Sequence, residues 1–462
     1  MTDASALRNA VLTSVPADPF QTSTPEPRFV YVPRTHVRAL DPDNMLVVGA
    51  RGTGKSFWWQ ALLSDAARAT LQIPSMSRGT LRVGAGWSEH TEPDKDTLAR
   101  LRRTGADPRQ IWRAVLLAQF DAGIHAMESW QQRVDWVANH PEQVAKLIRS
   151  YDDAADADAT RHLLLFDALD RTADEWTERR ALLKGLLQLV LDLRSTKSIR
   201  AKVFVRPDMI QDPEVLAFVD SSKLVGSRIE LTWPRHELYG LLWQYMGNAP
   251  QGAAAFRKLN SGWKKDESGV FRMPDALRTN EQVQRDAFAE IAGAAMGTNE
   301  RRGLPFTWIP THLGDASSIA TPRSFLAALR TAADETHQDS ELALDWRSIH
   351  SGVRRASEIR VIELGEDFPW TKPAMEALEG LNVPCSRKDL VSRWTTNRVM
   401  ERIAGLPSGD RNKNTALGQQ GLLDDLVEVG VLEVRSDGRY NIPDVYRVGF
   451  GLKRRGGVKP VT

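Results

Sequence analysis

The sequence is poor in the groups that cross-link small folds. Its single cysteine, Cys385, cannot close an internal disulfide or build a multi-cysteine zinc site. A reducing compartment is expected, with Cys385 serving as a small, partly buried apolar residue. The nine histidines are scattered, with no H-x-x-x-H or H-E-x-x-H pair, so no structural metal is expected. No apolar run nears the roughly 20 residues a membrane helix needs. The longest, Gly185 to Leu193, is interrupted by Gln188 and Asp192. No basic segment followed by an apolar one opens the chain, so neither signal peptide nor membrane partner is expected, and the location read is cytoplasmic. Excess charge is missing too. Sixty-one Lys and Arg face 59 Asp and Glu, a net +2 that excludes a globally basic nucleic-acid coat and an acidic tail. G-x-S-x-G elbow, kinase signatures, the guanine-reading N-K-x-D and internal repeats are all absent.

What remains is an ordinary soluble composition, 42% hydrophobic and 26% charged over 462 residues, enough for about three domains. Residues 1–27, rich in Ser, Thr, Ala and Pro, read as a flexible extension. Residues 28–234 alternate apolar runs and helical patterns: Phe29–Val32, Asn44–Val48, a helix from Lys55 to about Leu71, His162–Phe166, a helix over 175–193 and Ala201–Val205. That alternation predicts an α/β core with a parallel sheet. Residues 73–110, polar and glycine-containing, read as an irregular insertion, and Asp152, Asp153, Asp156 and Asp158 as a solvated loop. Residues 235–350 are mainly helical, with helices over 236–246, 281–296 and 322–336, and form a candidate lid. In 351–462, helices over 372–381, 387–403 and 416–429 precede an Asp437-Gly438 turn between two apolar runs, a hairpin signal. Three helices and a hairpin are the layout of a winged helix, here followed by a basic tail of Lys453, Arg454, Arg455 and Lys459. Trp58, Trp112, Trp130 and Trp136 fall at helix-face spacings and read as packing residues.

One motif is specific. Gly49-Ala50-Arg51-Gly52-Thr53-Gly54-Lys55-Ser56 fits G-x-x-x-x-G-K-[ST] without mismatch, after a strand and at the start of a helix. Backbone N–H groups of such a loop curl around phosphate oxygens at the positive end of a helix dipole. Lys55 would reach the β- and γ-phosphates, and Ser56 would hold Mg²⁺. Asp167, ending the apolar run Leu163–Phe166, is the second metal candidate, since a carboxylate there is costly without a cation. Asp170 either polarises the attacking water or caps the helix that follows. Arg206, ending the next strand, either contacts the γ-phosphate or pairs with Asp208. Arg323, after Pro322 at a helix start, is a cation where an anion would be at ease, and so a candidate nucleotide sensor. Arg194 and Arg200 read as solvated surface rather than as residues reaching a neighbouring subunit.

The loop Gly49–Ser56, the preceding Phe29-Val-Tyr-Val-Pro33, and Phe166-Asp167-Ala168-Leu169-Asp170 resemble the STAND and AAA+ branch of P-loop ATPases. The last is similar to the Asp-Gly-Leu-Asp box of NACHT-type members, with Ala168 in place of the usual glycine. Arg206 and Arg323 stand where relatives of that branch, origin-recognition proteins among them, carry a sensor-strand and a lid arginine. The resemblance implies an ATPase core, helical lid and winged helix cycling between ATP and ADP states that differ in assembly. No sensing repeat array or effector domain is visible, which points to a separate protein effector, as in bacterial defence or mobile-element systems. The expectation is a slow or partner-stimulated ATPase switch that forms nucleotide-dependent homo-oligomers. The alternative is a DNA-associated AAA+ ATPase binding duplex DNA through the winged helix, where 14 Lys and Arg face 9 Asp and Glu from Ser386 onward. Asp424, Asp425 and Glu428 on its expected recognition helix, 419–429, weigh against that alternative.

Overall fold

The computed structural model describes residues 3–21, 24–407, 409, 411 and 413–454. The chain divides into two compact units: residues 22–232 form one, and those up to Gln21 join those from Trp233 onward in the other.

Among its described residues the 22–232 unit holds five strands, β1 (Leu46–Val48), β2 (Thr80–Trp87), β3 (Thr160–Phe166), β4 (Ile199–Val205) and β5 (Ile229–Glu230). All pairings are parallel, in the order β2-β3-β4-β1-β5. The apolar runs serve both faces, because successive strand residues point oppositely. Leu46, Val48, Leu164, Phe166, Val203 and Val205 pack toward helices Pro108–Ala118 and Trp176–Asp192. Val47, Leu163, Leu165 and Phe204 pack on the other face with Trp58 and Leu62 of helix Lys55–Leu63. The expected α/β, parallel-sheet core is therefore present.

Several local expectations are overturned. The region read as an irregular insertion contributes β2, a full edge strand, and helix Lys95–Arg103. One of its glycines is a packing residue: a Cβ on Gly86 would lie 2.4 Å from the Phe166 ring, so only glycine lets β2 approach there. Phe29–Val32 is not a strand but follows from a 3-10 turn at Pro27–Phe29. Asp152, Asp153 and Asp156 are not in a loop; they lie in helix Pro141–Ala157. Asp152 is buried there and accepts the N–H groups of Lys197 (2.8 Å), Ser198 (2.7 Å) and Ile199 (3.2 Å), fixing the entry to β4.

Helix Lys55–Leu63 is anchored from below by a buried histidine. The Nδ1 atom of His36 accepts the Trp58 indole N–H (3.1 Å), so its Nε2–H donates to the Thr232 carbonyl (3.1 Å). Burial pushes the His36 pKa from 6.5 down to about 4, against the weaker upward pull of the Thr232 carbonyl. A base with a depressed folded pKa adds stability above its unfolded value and loses it as pH falls toward the folded one. The loss spans pH 6.5 to 4 and amounts to about 3 kcal/mol at most. Denaturant titrations at pH 7 and 4.5 should show a steeper acid loss in the native chain than in His36→Gln; equal slopes would remove His36 from the acid response.

In the other unit, the first residues are not a flexible extension. Ala4–Ser14 is a helix capped by Asp3, with Leu7, Ala10 and Val11 buried. Buried Arg8 donates to the carbonyls of Leu342 (3.0 Å), Ala343 (3.2 Å) and Gln338 (3.3 Å), and Arg330 donates to those of Val15 (2.7 Å) and Leu12 (2.9 Å). Tyr239, Phe288, Phe306 and Phe325 form an aromatic core around helix Arg235–Gly247. The boundary expected at 350/351 falls inside a continuous helix, Trp346–Asp367, which packs on helix Pro322–Glu335 at Gly352. Beyond it, helices Arg387–Thr396, Val399–Ala404 and Gly418–Glu428 lead to the expected hairpin, Glu433–Val434 against Tyr440–Asn441. Cys385 and Tyr440 exchange backbone hydrogen bonds, adding a third edge to that hairpin. In the expected basic tail, Arg454 turns inward onto Asp444 (2.9 Å); Arg455 and Lys459 lie outside the described residues.

Candidate functional site

The loop after β1 carries the site. The Gly49 N–H donates to the Val205 carbonyl of β4 (3.0 Å), tying the loop to the sheet's C-terminal edge. Gly54 has φ +99°, a conformation that costs other residues energy, and it turns the chain into helix Lys55–Leu63. Thr53, nearly buried, donates its hydroxyl to the Ala50 carbonyl (2.8 Å) and pins the loop from inside. Ala50, Arg51 and Gly52 lie on its partly exposed outer turn. Lys55 opens the helix, and its Nζ donates to the carbonyls of Gly49 (2.7 Å) and Ala50 (3.1 Å), within the loop.

Asp167 follows β3, and its N–H donates to the Trp87 carbonyl at the end of β2 (3.0 Å). Only 4% of the residue is exposed. Burial pushes its carboxyl above the ordinary range. The Ser56 hydroxyl, the Lys55 charge and the Ala168 N–H pull it back, and the neighbouring Asp170 adds to the rise. β4 separates β1 from β3, yet the Ser56 hydroxyl after one lies close enough to the Asp167 carboxyl after the other to favour its ionised form.

Ala168 has φ +55° and ψ +32°, the left-handed region. An L-residue pays about 1–2 kcal/mol there, partly returned by alanine's smaller unfolded-chain entropy. Ala168→Gly should therefore fold at least as stably as the native chain, by up to about 1 kcal/mol. A melting temperature lowered by the change would show that the alanine methyl makes a packing contact worth more than the strain.

Asp170 does not cap the following helix. That cap position is Glu175, whose side chain makes no cap hydrogen bond. Instead Asp170 lies 3.4 Å from Arg206. Arg206, 7% exposed, also grips Asp208 with Nε (3.1 Å) and a terminal nitrogen (2.7 Å). Asp170 lines a cavity of about 360 Å³ with Glu89, Lys95, Arg171 and Asp174. Sequence reasoning missed that wall because Glu89 and Lys95 follow the unrecognised β2. The fold thus gathers the loop, Asp167, Asp170 and Arg206 beyond the C-terminal ends of β1, β3 and β4, the usual ligand edge of such sheets.

The chain matches no protein-family model and no curated protein sequence. Among solved structures, it is similar to the Aeropyrum pernix ORC2 protein, determined as ADPNP–ADP complexes, with a TM-score of 0.40 and 12% identity over 93% of each chain. At that distance, function has to be argued from the site's own residues.

Arg323 has partners of its own. It lies in the other unit, where its guanidinium bonds Glu363 of helix Trp346–Asp367 and sits 5.2 Å over the Phe20 ring. The anion expected near its helix start is thus supplied internally by Glu363, a fully buried carboxylate shared with Arg360 (3.3 Å). Glu363 sits 40 residues on, and no local pattern announced it. Arg194 donates to the Lys223 carbonyl (2.6 Å), and Arg200, near the start of β4, reaches Asp43 (3.2 Å) at the sheet's opposite end from the loop. Burial raises the Cys385 thiol to about 11, with the nearby Asp389 adding to the rise, so it is a poor nucleophile at neutral pH.

Proposed function

We propose that the chain is an ATP-binding and ATP-hydrolysing switch with its site on the loop Gly49–Ser56. The observation that carries this reading is the buried Asp167 carboxyl, two strands away in the sheet yet close enough to the loop for the Ser56 hydroxyl and the Lys55 charge to act on it. An ionised carboxylate in that setting is costly without a cation. Its oxygen-only donor set with Ser56 suits Mg²⁺, which keeps waters and phosphates as its other ligands. Bound there, Mg²⁺ would offset charge on the β- and γ-phosphates.

Each remaining role belongs to the chain's own groups. Lys55 exchanges the Gly49 and Ala50 carbonyls for phosphate oxygens, and the backbone N–H groups from Ala50 to Ser56 line the phosphates. Asp170 accepts a proton from the attacking water, held in place by Arg206. Arg206 can also meet charge developing on the γ-phosphate, so hydrolysis would weaken its grip on Asp208. Arg323 would sense nucleotide only by leaving Glu363. Control of a protein effector or of homo-oligomer assembly is the switch's proposed output.

A second reading, a DNA-associated ATPase with a winged helix, is favoured by the three-edged hairpin after the C-terminal helices. Two of the acids that weighed against it are also occupied. Asp425 is buried, accepting Asn414 through its N–H (3.0 Å) and side-chain amide (2.6 Å), and Glu428 pairs with Lys413 (2.5 Å).

Steady-state ATP turnover of the purified chain, with and without duplex DNA, separates the readings. Turnover that rises several-fold with DNA and falls with salt selects the second. Low turnover indifferent to DNA selects a switch awaiting its partner, and no nucleotide binding at all would overturn both.

A further inference from the structure

The C-terminal segment carries exposed positive charge outside the helix and hairpin that the layout would offer to DNA. Between Ser386 and Lys413 seven Lys and Arg face three Asp and Glu; between Asn414 and Arg454 five face six. Lys388 and Arg393 on helix Arg387–Thr396, and Arg398 just after it, are exposed. Of the two acids on this helix and on Val399–Ala404, Asp389 is consumed locally, its carboxylate accepting the Ser386 N–H (2.9 Å) and hydroxyl (2.7 Å) in a capping box, and Glu401 is exposed. Across the hairpin, by contrast, Arg439 is held by Asp437 (2.7 Å), and helix Gly418–Glu428 exposes Asp424, with Glu428 paired to Lys413 (2.5 Å).

Arg398 adds a second, independent sign. It sits at φ +49° between helices Arg387–Thr396 and Val399–Ala404, where glycine or asparagine would be unstrained. A long cation kept at a strained turn is a pointer to use rather than to folding. Among the exposed neighbours, the Ser392 and Thr396 hydroxyls suit phosphate and sugar oxygens, while Thr395 and Asn397 bond the Val391 and Arg393 carbonyls (2.8 and 2.9 Å). No aromatic ring is offered to bases, since Trp394 is buried with its N–H on the Ala374 carbonyl (2.8 Å). Single strands rely on such stacking; a duplex backbone does not.

We propose that helices Arg387–Thr396 and Val399–Ala404, through Lys388, Arg393 and Arg398, bind the sugar-phosphate backbone of duplex DNA, and that helix Gly418–Glu428 and the hairpin do not. The contact is independent of base sequence and of the nucleotide site.

The test is fluorescence anisotropy of a labelled mixed-sequence duplex of roughly 30 base pairs, about three helical turns, with the full chain and no added nucleotide, so the ATPase reading can fail without touching the result. The native chain should bind, and its affinity should fall steeply between about 50 and 200 mM salt. The triple variant Lys388→Gln, Arg393→Gln, Arg398→Gln should raise Kd at least about tenfold and reduce the log–log salt slope by about three. Arg435→Gln with Arg439→Gln on the hairpin should change Kd less than about twofold. Should the triple variant fold poorly, Arg398→Gly, which relaxes the turn, should melt no lower than native and still bind several-fold more weakly. The proposal is overturned by a hairpin variant that loses as much affinity as the triple one, by a native chain that ignores the duplex at low salt, or by tighter binding of the corresponding single strand.

Discussion

Replacing Lys55 with alanine should weaken ATP binding by roughly two orders of magnitude. In the protein its ammonium bridges two carbonyls of the loop it serves, so it is already positioned at the loop's inner rim. Each charge-assisted hydrogen bond it would transfer to a phosphate oxygen is worth about 1.5–3 kcal/mol, and each 1.4 kcal/mol is about a factor of ten in Kd. Alanine also leaves the Gly49 and Ala50 carbonyls without that donor; Ala50 is partly exposed and Gly49 buried, so folding should lose no more than the roughly 1–3 kcal/mol of one unpaired buried carbonyl. Isothermal titration with ATP and Mg²⁺, beside a melting curve, reads both quantities. A variant that melts like the native chain and binds ATP equally well would remove the loop from the nucleotide reading.

Changing Asp170 to asparagine should have the opposite profile, with binding kept and turnover lost. Asparagine preserves the shape of the side chain and an oxygen for Arg206, so the 3.4 Å contact survives as a neutral hydrogen bond. What it removes is the ability to take a proton from water. General bases contribute roughly 100- to 10,000-fold, so single-turnover hydrolysis should fall by at least about 100-fold while Kd for ATP stays within about threefold. Loss of binding and turnover together would mean that Asp170 supports the loop through Arg206 rather than acting on water. Undiminished turnover would end its assignment as the base.

How much of this was legible depended on how local each signal was. The loop Gly49–Ser56 was fully written in eight consecutive residues because backbone geometry demands those glycines. Asp167 was legible because an apolar strand ending in a carboxylate is expensive in any context. β2 was hidden: Gly84 and Gly86 look like a turn when read alone, and Gly86 makes sense only against the Phe166 ring, eighty residues on. β5, two residues long, has no periodicity to read. The aspartates of 152–158 looked solvated by composition, whereas Asp152 is defined by three N–H groups from a distant segment. For Arg323 the helix-start position was visible, but Glu363, with which it pairs, was not.

The helix Ala4–Ser14 carries a consequence for synthesis. Its packing partners, the helices Arg235–Gly247, Ala253–Leu259 and Pro322–Glu335, come more than two hundred residues later. At about 5–20 residues per second, a ribosome needs ten seconds or more to deliver them. In that interval the sheet-bearing unit, contiguous from 22 to 232, can fold by itself, while Leu7, Ala10 and Val11 wait without cover. The nascent chain thus holds a finished α/β body with an unsatisfied apolar helix tethered ahead of it, a natural target for a holding chaperone. Circular permutants that move residues 3–21 behind residue 454 would shorten the wait and should give a higher soluble yield at equal expression.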